Sequence, residues 1–189
     1  VYKRQILARL PIKTFWTTNY DGLLEDALRA AHKRVDVKES EASLATTLSR
    51  RDATLYKMHG TSQAPDHAVI TRDDYEAYPI THPLFCTALR GDLVEKTFVF
   101  LGFSFSDPNL AQVLGRIRLL LGKNRRDHFA LLRRVQPADF PDEQTYGYAK
   151  CRQDLQVRDL SRYGVQGVLL DDHAEYTSVL RRIEQSYRR

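Results

Sequence analysis

Three apolar runs in this chain each break off into a short polar motif. They read Phe15-Trp16-Thr17-Thr18-Asn19-Tyr20-Asp21, Leu55-Tyr56-Lys57-Met58-His59-Gly60 and Phe98-Val99-Phe100-Leu101-Gly102-Phe103-Ser104-Phe105-Ser106-Asp107. The first run, Lys13 to Thr17, has the aromatic and β-branched content of a strand. In an open α/β sheet, ligands bind beyond the carboxyl ends of the strands. Strand ends that carry Asn and Asp, His, and Ser and Asp can therefore serve one ligand from several directions.

The segments around the motifs alternate in period. Residues 2–10 have helical spacing closed by Pro11, and Lys13 to Thr17 is a short strand. Gly22 to His32 places Leu23, Leu24, Ala27, Leu28 and Ala31 on one helical face. Val35 and Val37 alternate with polar residues as in a half-exposed strand, and Glu39 to Asp52 fits either a short helix or a loop. Thr54 to Met58 and Ala68 to Thr71 are the next expected strands. One helical turn follows over Asp73 to Tyr78, then a helix over His82 to Glu95 with Leu84, Phe85, Ala88, Leu89 and Leu93 turned inward. Thr97 to Leu101 is apolar throughout, as in a strand covered on both faces. Asp107 is placed to cap the next helix, with Pro108 in its first turn, Leu110, Val113, Leu114, Ile117, Leu120 and Leu121 at helical spacing, and Gly122 as its stop. A strand over His128 to Leu132, a helix over Glu143 to Tyr163, a strand over Val165 to Leu170 and a helix over Glu175 to Tyr187 complete the series. Strands alternating with helices imply parallel βαβ units in one layered α/β domain, residues 1–189.

Composition narrows the class. With 189 residues, 42% hydrophobic and 28% charged, the chain has the make-up of a globular domain. No run approaches the roughly 18 apolar residues of a membrane span. The two cysteines, Cys86 and Cys151, are too few for a disulfide framework or a four-thiolate zinc site, and both are expected as buried thiols in helices. With no basic-then-apolar leader, a cytoplasmic setting is expected. The net charge of +5 is spread over separate arginine pairs, such as Arg50-Arg51 and Arg133-Arg134, so solvated helix faces fit better than a nucleic-acid surface. Val1 at the first position and a helix beginning at once imply a piece of a larger protein.

Each motif supports a chemical role. Thr17, Thr18, Asn19 and Asp21 stand where a strand passes into a helix, and amides at a helix start favour anions while Asn or Asp can bond a ribose or hold a water. Asp21 serves equally as a cap. His59, at a strand terminus beside Gly60, suits a base near neutral pH with a glycine that admits close approach. The other histidines (His32, His67, His82, His128, His173) have surface or packing surroundings. Gly102 permits close backbone approach, Ser104 can donate to a phosphate or ribose oxygen, and Asp107 fits either a ligand contact or ordinary helix capping.

In this order the motifs resemble the sirtuin superfamily, and most closely the SIR2-like domains of bacterial antiphage defence proteins. Sirtuins carry Thr-Gln-Asn-Ile-Asp, then a catalytic His-Gly, then Gly-Thr-Ser. The matching positions here are Thr17 to Asp21, His59-Gly60 and Gly102-Phe103-Ser104. The defence group further shows Tyr-Lys-Met-His-Gly, Ile-Thr-Arg-Asp-Asp-Tyr and Gly-Phe-Ser-Phe-Ser-Asp-Pro-Asn, matched at Tyr56 to Gly60, Ile70 to Tyr75 and Gly102 to Asn109. The resemblance runs from about Ile12 to Gly122.

What it implies is a three-layer Rossmann-like parallel sheet with helices on both faces, and NAD as a substrate cleaved between nicotinamide and ribose. By the same resemblance Asn19 orients the attacking water near the nicotinamide ribose, Asp21 holds the nicotinamide end, and His59 acts as base toward a ribose hydroxyl or water. Thr17, Thr18, Gly60 and Asp107 join them in binding NAD, and Gly102 and Ser104 contact its adenosine side or phosphates. No metal is implied for this step.

Two departures matter. The four-cysteine zinc module of lysine deacylases has no counterpart, which shifts the expectation from deacylase toward NAD hydrolase. The Gly-Ala-Gly phosphate loop that normally precedes the Asn motif also has none, since no Gly-x-Gly occurs. The fold's first strand and that loop are therefore expected upstream of Val1. The resemblance further implies an antiphage effector with an additional domain or defence-system partner and possible homo-oligomerisation. A non-catalytic nucleotide-binding regulatory domain and an NAD-dependent deacylase or ADP-ribosyl transferase are the alternatives.

Overall fold

The structure is a computed structural model that describes residues 2–103, 105, 107–122 and 126–187, with the side chains of Tyr2 and Leu121 outside the description. It divides into two compact units, Val1–Thr87 with Thr177–Arg189 and Ala88–Tyr176. The divisions fall inside helices α5 (Pro83–Glu95) and α8 (His173–Ser186).

The first unit runs α1 (Tyr2–Arg9), β1 (Thr14–Thr17), α2 (Leu23–Ala30), β2 (Val35–Lys38), α3 (Glu41–Leu44), β3 (Ala53–Lys57), a 3₁₀ turn (Pro65–His67) and α4 (Arg72–Thr81). Its three strands form a parallel sheet in the order β1-β3-β2, with Thr17 opposite Lys57 and Lys38 opposite Tyr56. The central strand is thus the one that leads to His59. Ala8, Phe15, Leu28, Ala53 and Leu55 form the core, with Ile12, Leu24, Ala27, Ala31 and Val35 packed around it.

The second unit holds β4 (Val99–Leu101), α6 (Pro108–Leu121), β5 (His128–Arg133), a 3₁₀ turn (Pro137–Asp139), α7 (Glu143–Arg162) and β6 (Val165–Leu170). Its parallel sheet has the order β4-β5-β6. Parallel strands joined through helices in both units make the chain α/β, with the Rossmann-like alternation expected.

Several local expectations are corrected. Residues 68–71 form no strand, because Thr71 is already consumed as the cap of α4 and the 3₁₀ turn ends immediately before. Helix α4 passes through Pro79 to Thr81, beyond the expected stop at Tyr78. A proline this close to the carboxyl end disturbs only the last turn, where Thr81 Oγ1 donates to the Ala77 carbonyl at 3.2 Å. β2 buries its polar residues, Asp36 and Lys38, while its valines are half-buried. β4 is not covered as its apolar run predicts, for it is an edge strand and Val99 is exposed. Leu84 and Leu120 are likewise exposed and Ala88 only half-buried, although Phe85, Leu89, Leu93, Leu110, Val113, Leu114 and Ile117 are buried as expected. Neither thiol is buried: Cys86 is half-buried and Cys151 exposed.

Candidate active site at the carboxyl ends of β1 and β3

Because β1 and β3 are neighbours in parallel register, their carboxyl ends open on the same side. The loop that leaves β1 carries Thr17 to Asp21, and the loop that leaves β3 carries Met58 to Ser62. Two backbone hydrogen bonds tie the loops: Met58 N–H donates to the Thr17 carbonyl at 3.2 Å, and Ser62 N–H to the Tyr20 carbonyl at 3.0 Å. The expected Asn19 and His59 segments therefore lie against one another.

Within the first loop, Asn19 and Asp21 are exposed and Thr17 and Thr18 half-buried. Thr17 Oγ1 accepts from Asn19 N–H at 3.1 Å, and Asp21 Oδ1 accepts from Leu23 N–H at 3.1 Å. Helix α2 has Gly22 at its cap position with no side-chain cap bond. Asp21 thus closes a local turn ahead of the helix.

His59 is the reverse case, a buried imidazole whose peptide is held on both sides. Its carbonyl accepts from Val69 N–H at 3.1 Å, and the preceding Met58 carbonyl accepts from the buried Tyr78 hydroxyl at 2.7 Å. The ring meets Tyr75 edge-on at 5.1 Å between centroids, with Tyr75 Oη 3.5 Å from Nδ1. Tyr78 packs edge-on at 6.1 Å. At 3.5 Å the Tyr75 contact is at the limit of a hydrogen bond, so Tyr75 orients the ring chiefly by packing. Gly60 has φ +82°, and a Cβ there would lie 3.2 Å from the His67 carbonyl oxygen. The close approach this glycine admits is that of the chain's own 67–68 backbone.

Helix α4 presents both tyrosines, and its start explains the Ile70 to Tyr75 motif. Thr71 Oγ1 accepts from Asp74 N–H at 3.2 Å, while the Asp74 carboxylate accepts from Ile70 N–H at 3.0 Å and Thr71 N–H at 2.7 Å. This capping box fixes the helix entry. Those backbone bonds also hold the Asp74 carboxyl below the usual carboxylate range. Tyr20 on the first loop donates its hydroxyl to the Val69 carbonyl at 2.5 Å, joining that loop to the segment that leads into α4.

A buried ion pair also bonds to the first of these loops. Lys57 Nζ is 2.8 Å from Glu25 Oε1, with both side chains more than nine-tenths buried. The same ammonium donates to the carbonyls of Asp21 at 2.8 Å and Tyr20 at 3.2 Å, with Thr61 Oγ1 at 3.5 Å. Lys57 lies in the Tyr56 to Gly60 motif. Glu25 and Tyr78 had no such signal, since an acid in a helix's first turn and a tyrosine beside a proline both have ordinary explanations.

The third motif belongs to the second unit. Gly102 adopts φ +64°, and no atom among the described residues lies within 4 Å of where a Cβ would stand. Ser104 lies outside the described residues. Asp107 caps α6 as expected, accepting from Asn109 N–H at 2.8 Å and Leu110 N–H at 3.4 Å, with Pro108 next. Asn109 is buried, and its Nδ2 has no hydrogen-bond partner among the described residues. Phe100, Phe103 and Phe105 form an aromatic cluster around the motif, with Phe100 and Phe105 5.0 Å apart.

The first unit thus places a buried histidine and an exposed Asn-x-Asp loop at adjoining strand ends of a parallel sheet. Comparison with known proteins names the family: residues 13–154 match the SIR2-like domain, and the chain belongs to that family. It is 45% identical over 184 residues, 97% of its length, to the protein named NAD(+) hydrolase ThsA of Acinetobacter baumannii (strain 532279), of which this match covers 38%. It is also 45% identical, over an alignment of 192 positions that covers 98% of its length, to the protein of the same name from Enterococcus faecium, covering 40% of it. Defense-associated sirtuin 2 of Bacillus subtilis is 31% identical over 119 residues, 61% of this chain and 12% of that protein. The chain thus spans about two fifths of the length of the NAD(+) hydrolases it matches. No helix among the described residues is long and apolar enough to cross a membrane.

Proposed function

We propose that this chain is the catalytic part of a cytoplasmic NAD hydrolase serving antiphage defence. The observation that carries this reading is the tie between the Asn19 and His59 loops, in a chain 45% identical over nearly its whole length to proteins named NAD(+) hydrolase. In the proposed reaction, water adds to the anomeric carbon of the nicotinamide ribose. The bond to the nicotinamide nitrogen breaks with its electron pair leaving on nicotinamide, and the water's proton passes to a base.

Positive charge develops on the ribose in such a step, so the site must chiefly place polar groups and exclude misaligned water. Asn19 would orient the water, His59 would take a proton from it or from a ribose hydroxyl, and Asp21 would hold the nicotinamide end. Thr17, Thr18 and Gly60 would complete that side. Gly102, Ser104 and Asp107 would serve the adenosine or phosphate side. A homo-oligomer or a further defence component is the proposed means of control.

The test is incubation of the full-length protein with NAD while nicotinamide and ADP-ribose are followed. Wild type should form both in equal amounts, and Asn19→Ala and His59→Ala should each lose at least about 100-fold in kcat, the scale of a removed acid–base or positioning group. Product appearing on an added peptide, or NAD binding with no cleavage under any condition, would overturn the reading.

A further inference from the structure

Lys57 poses a question that folding alone leaves open. A lysine is rarely placed at a central-strand position with 2% exposure. Replacing a buried ion pair by apolar residues is often neutral or stabilising, so a Leu or Met at 57 opposite an apolar residue at 25 would serve a core equally well. The answer lies in where the three ammonium protons go. Two donate to the carbonyls of Asp21 and Tyr20, at 2.8 and 3.2 Å, in the loop that carries Asn19. The third goes to Glu25 at 2.8 Å, and Thr61 Oγ1, in the loop that carries His59, stands at 3.5 Å. An ammonium offers three donors on a flexible stem, whereas an amide side chain offers two and a guanidinium is planar and larger. Glu25 supplies the countercharge from α2, and its Oε2 is buried with no hydrogen-bond partner among the described residues.

We propose that Lys57, with Glu25 as its buried countercharge, is the positioning residue that sets the Asn19 loop against the His59 loop. It touches neither substrate nor reacting atoms. It acts by holding the peptide planes of Tyr20 and Asp21 at the end of the strand whose next residues are Met58 and His59. The inference rests on the functional reading above, in which Asn19 and His59 must address the same sugar.

The test uses the full-length protein with three variants: Lys57→Met, Lys57→Arg, and Lys57→Met combined with Glu25→Leu. The last removes both charges, so the fold survives without an orphaned buried carboxylate. Two readouts are taken, kcat and KM for NAD, and amide hydrogen exchange resolved to single residues. In the double variant, exchange at Met58 and Ser62, the amides that bridge the loops, should accelerate by at least about tenfold, while Thr54 and Leu55 within β3 stay as in wild type. Turnover should fall about 100-fold with KM changed by less than about threefold, as for misplaced groups rather than lost binding. Lys57→Arg should restore little.

Unchanged exchange at Met58 and Ser62 would overturn the proposal whatever the activity. So would faster exchange with kcat within about threefold of wild type, when His59→Ala is inactive. A wild-type protein that never cleaves NAD would count against the functional reading, and exchange would still decide whether the clamp exists.

Discussion

The carboxyl ends of β2 and β3 each bury a lysine beside a carboxylate, yet the two ammoniums do different work. Lys38 on β2 reaches Asp36 at 2.9 Å, the Ser43 carbonyl at 2.9 Å and the Thr46 carbonyl, all within its own stretch of chain. Lys57 on β3 reaches Tyr20, Asp21 and Glu25, more than thirty residues away. The acids differ too. Asp36 has further support from Leu48 N–H at 3.1 Å and Arg51 at 3.4 Å. Burial pushes its carboxyl up, but the bonds from Lys38 and Leu48 outweigh this and leave it below the usual range. Glu25 has its Oε2 buried with no hydrogen-bond partner among the described residues. One lysine therefore finishes a local loop, and the other reaches from the end of its strand to the loop that carries Asn19.

This contrast predicts unequal losses. Lys57→Met leaves the Glu25 carboxylate buried beside apolar atoms and should cost about 3–5 kcal/mol in urea unfolding. Lys38→Met leaves Asp36 with its other donors and should cost about 1–3 kcal/mol. NAD turnover should respond to Lys57→Met and not to Lys38→Met once both are measured well below their unfolding midpoints. Equal stability losses, or equal effects on turnover, would break the distinction between the two strand ends.

A smaller effect separates the aspartates after β1 and β4. Asp107 is buried and accepts from two amides of the first turn of α6, so Asp107→Ala should cost about 1 kcal/mol. Asp21 is exposed and accepts from one amide ahead of α2, so Asp21→Ala should stay within about 0.5 kcal/mol of wild type. It should nonetheless lower NAD turnover. Paired thermal unfolding and nicotinamide release on the two variants check this, and a destabilised Asp21→Ala would return that residue to plain turn-making.

How far the sequence carries follows from the same pairs. The elements were legible because period and punctuation are local: Asp107-Pro108 announces α6 and Gly122 ends it, as observed. The motif residues were legible because polar groups at strand ends are unusual. The burial of Asp36 and Lys38 was not, since alternation puts valine inward by default and only the folded loop shows the carbonyls that repay a buried charge. Glu25 was silent for a related reason. An acid in a first turn is already explained by the helix dipole, and nothing local announces a lysine thirty-two residues on. Leu84 and Leu120 failed in the opposite sense, because helical spacing shows which residues share a face and not how wide the covered stripe is.

The smallest effect concerns acid. His128 is buried at the start of β5, where Phe98 N–H donates to its Nδ1 at 3.1 Å, so the ring is neutral. Burial holds its pKa below the ordinary value, opposed by Asp127 and reinforced by Arg126. In the first unit, burial likewise lowers His82, with Glu41 and Asp74 opposing and His59 reinforcing. For both groups the unfolded chain takes up protons first, near the ordinary histidine pKa of about 6.5. Their contribution is therefore fully present above that value and is lost as pH falls through the depressed folded values. Unfolding midpoints should be level above about pH 7.5 and decline below about pH 6.5. His128→Asn keeps an acceptor for Phe98 N–H but cannot be protonated there. It should be less stable than wild type at neutral pH through lost packing, yet show a shallower decline into acid, whereas an unchanged acid slope would mean that His128 titrates as it does in the unfolded chain.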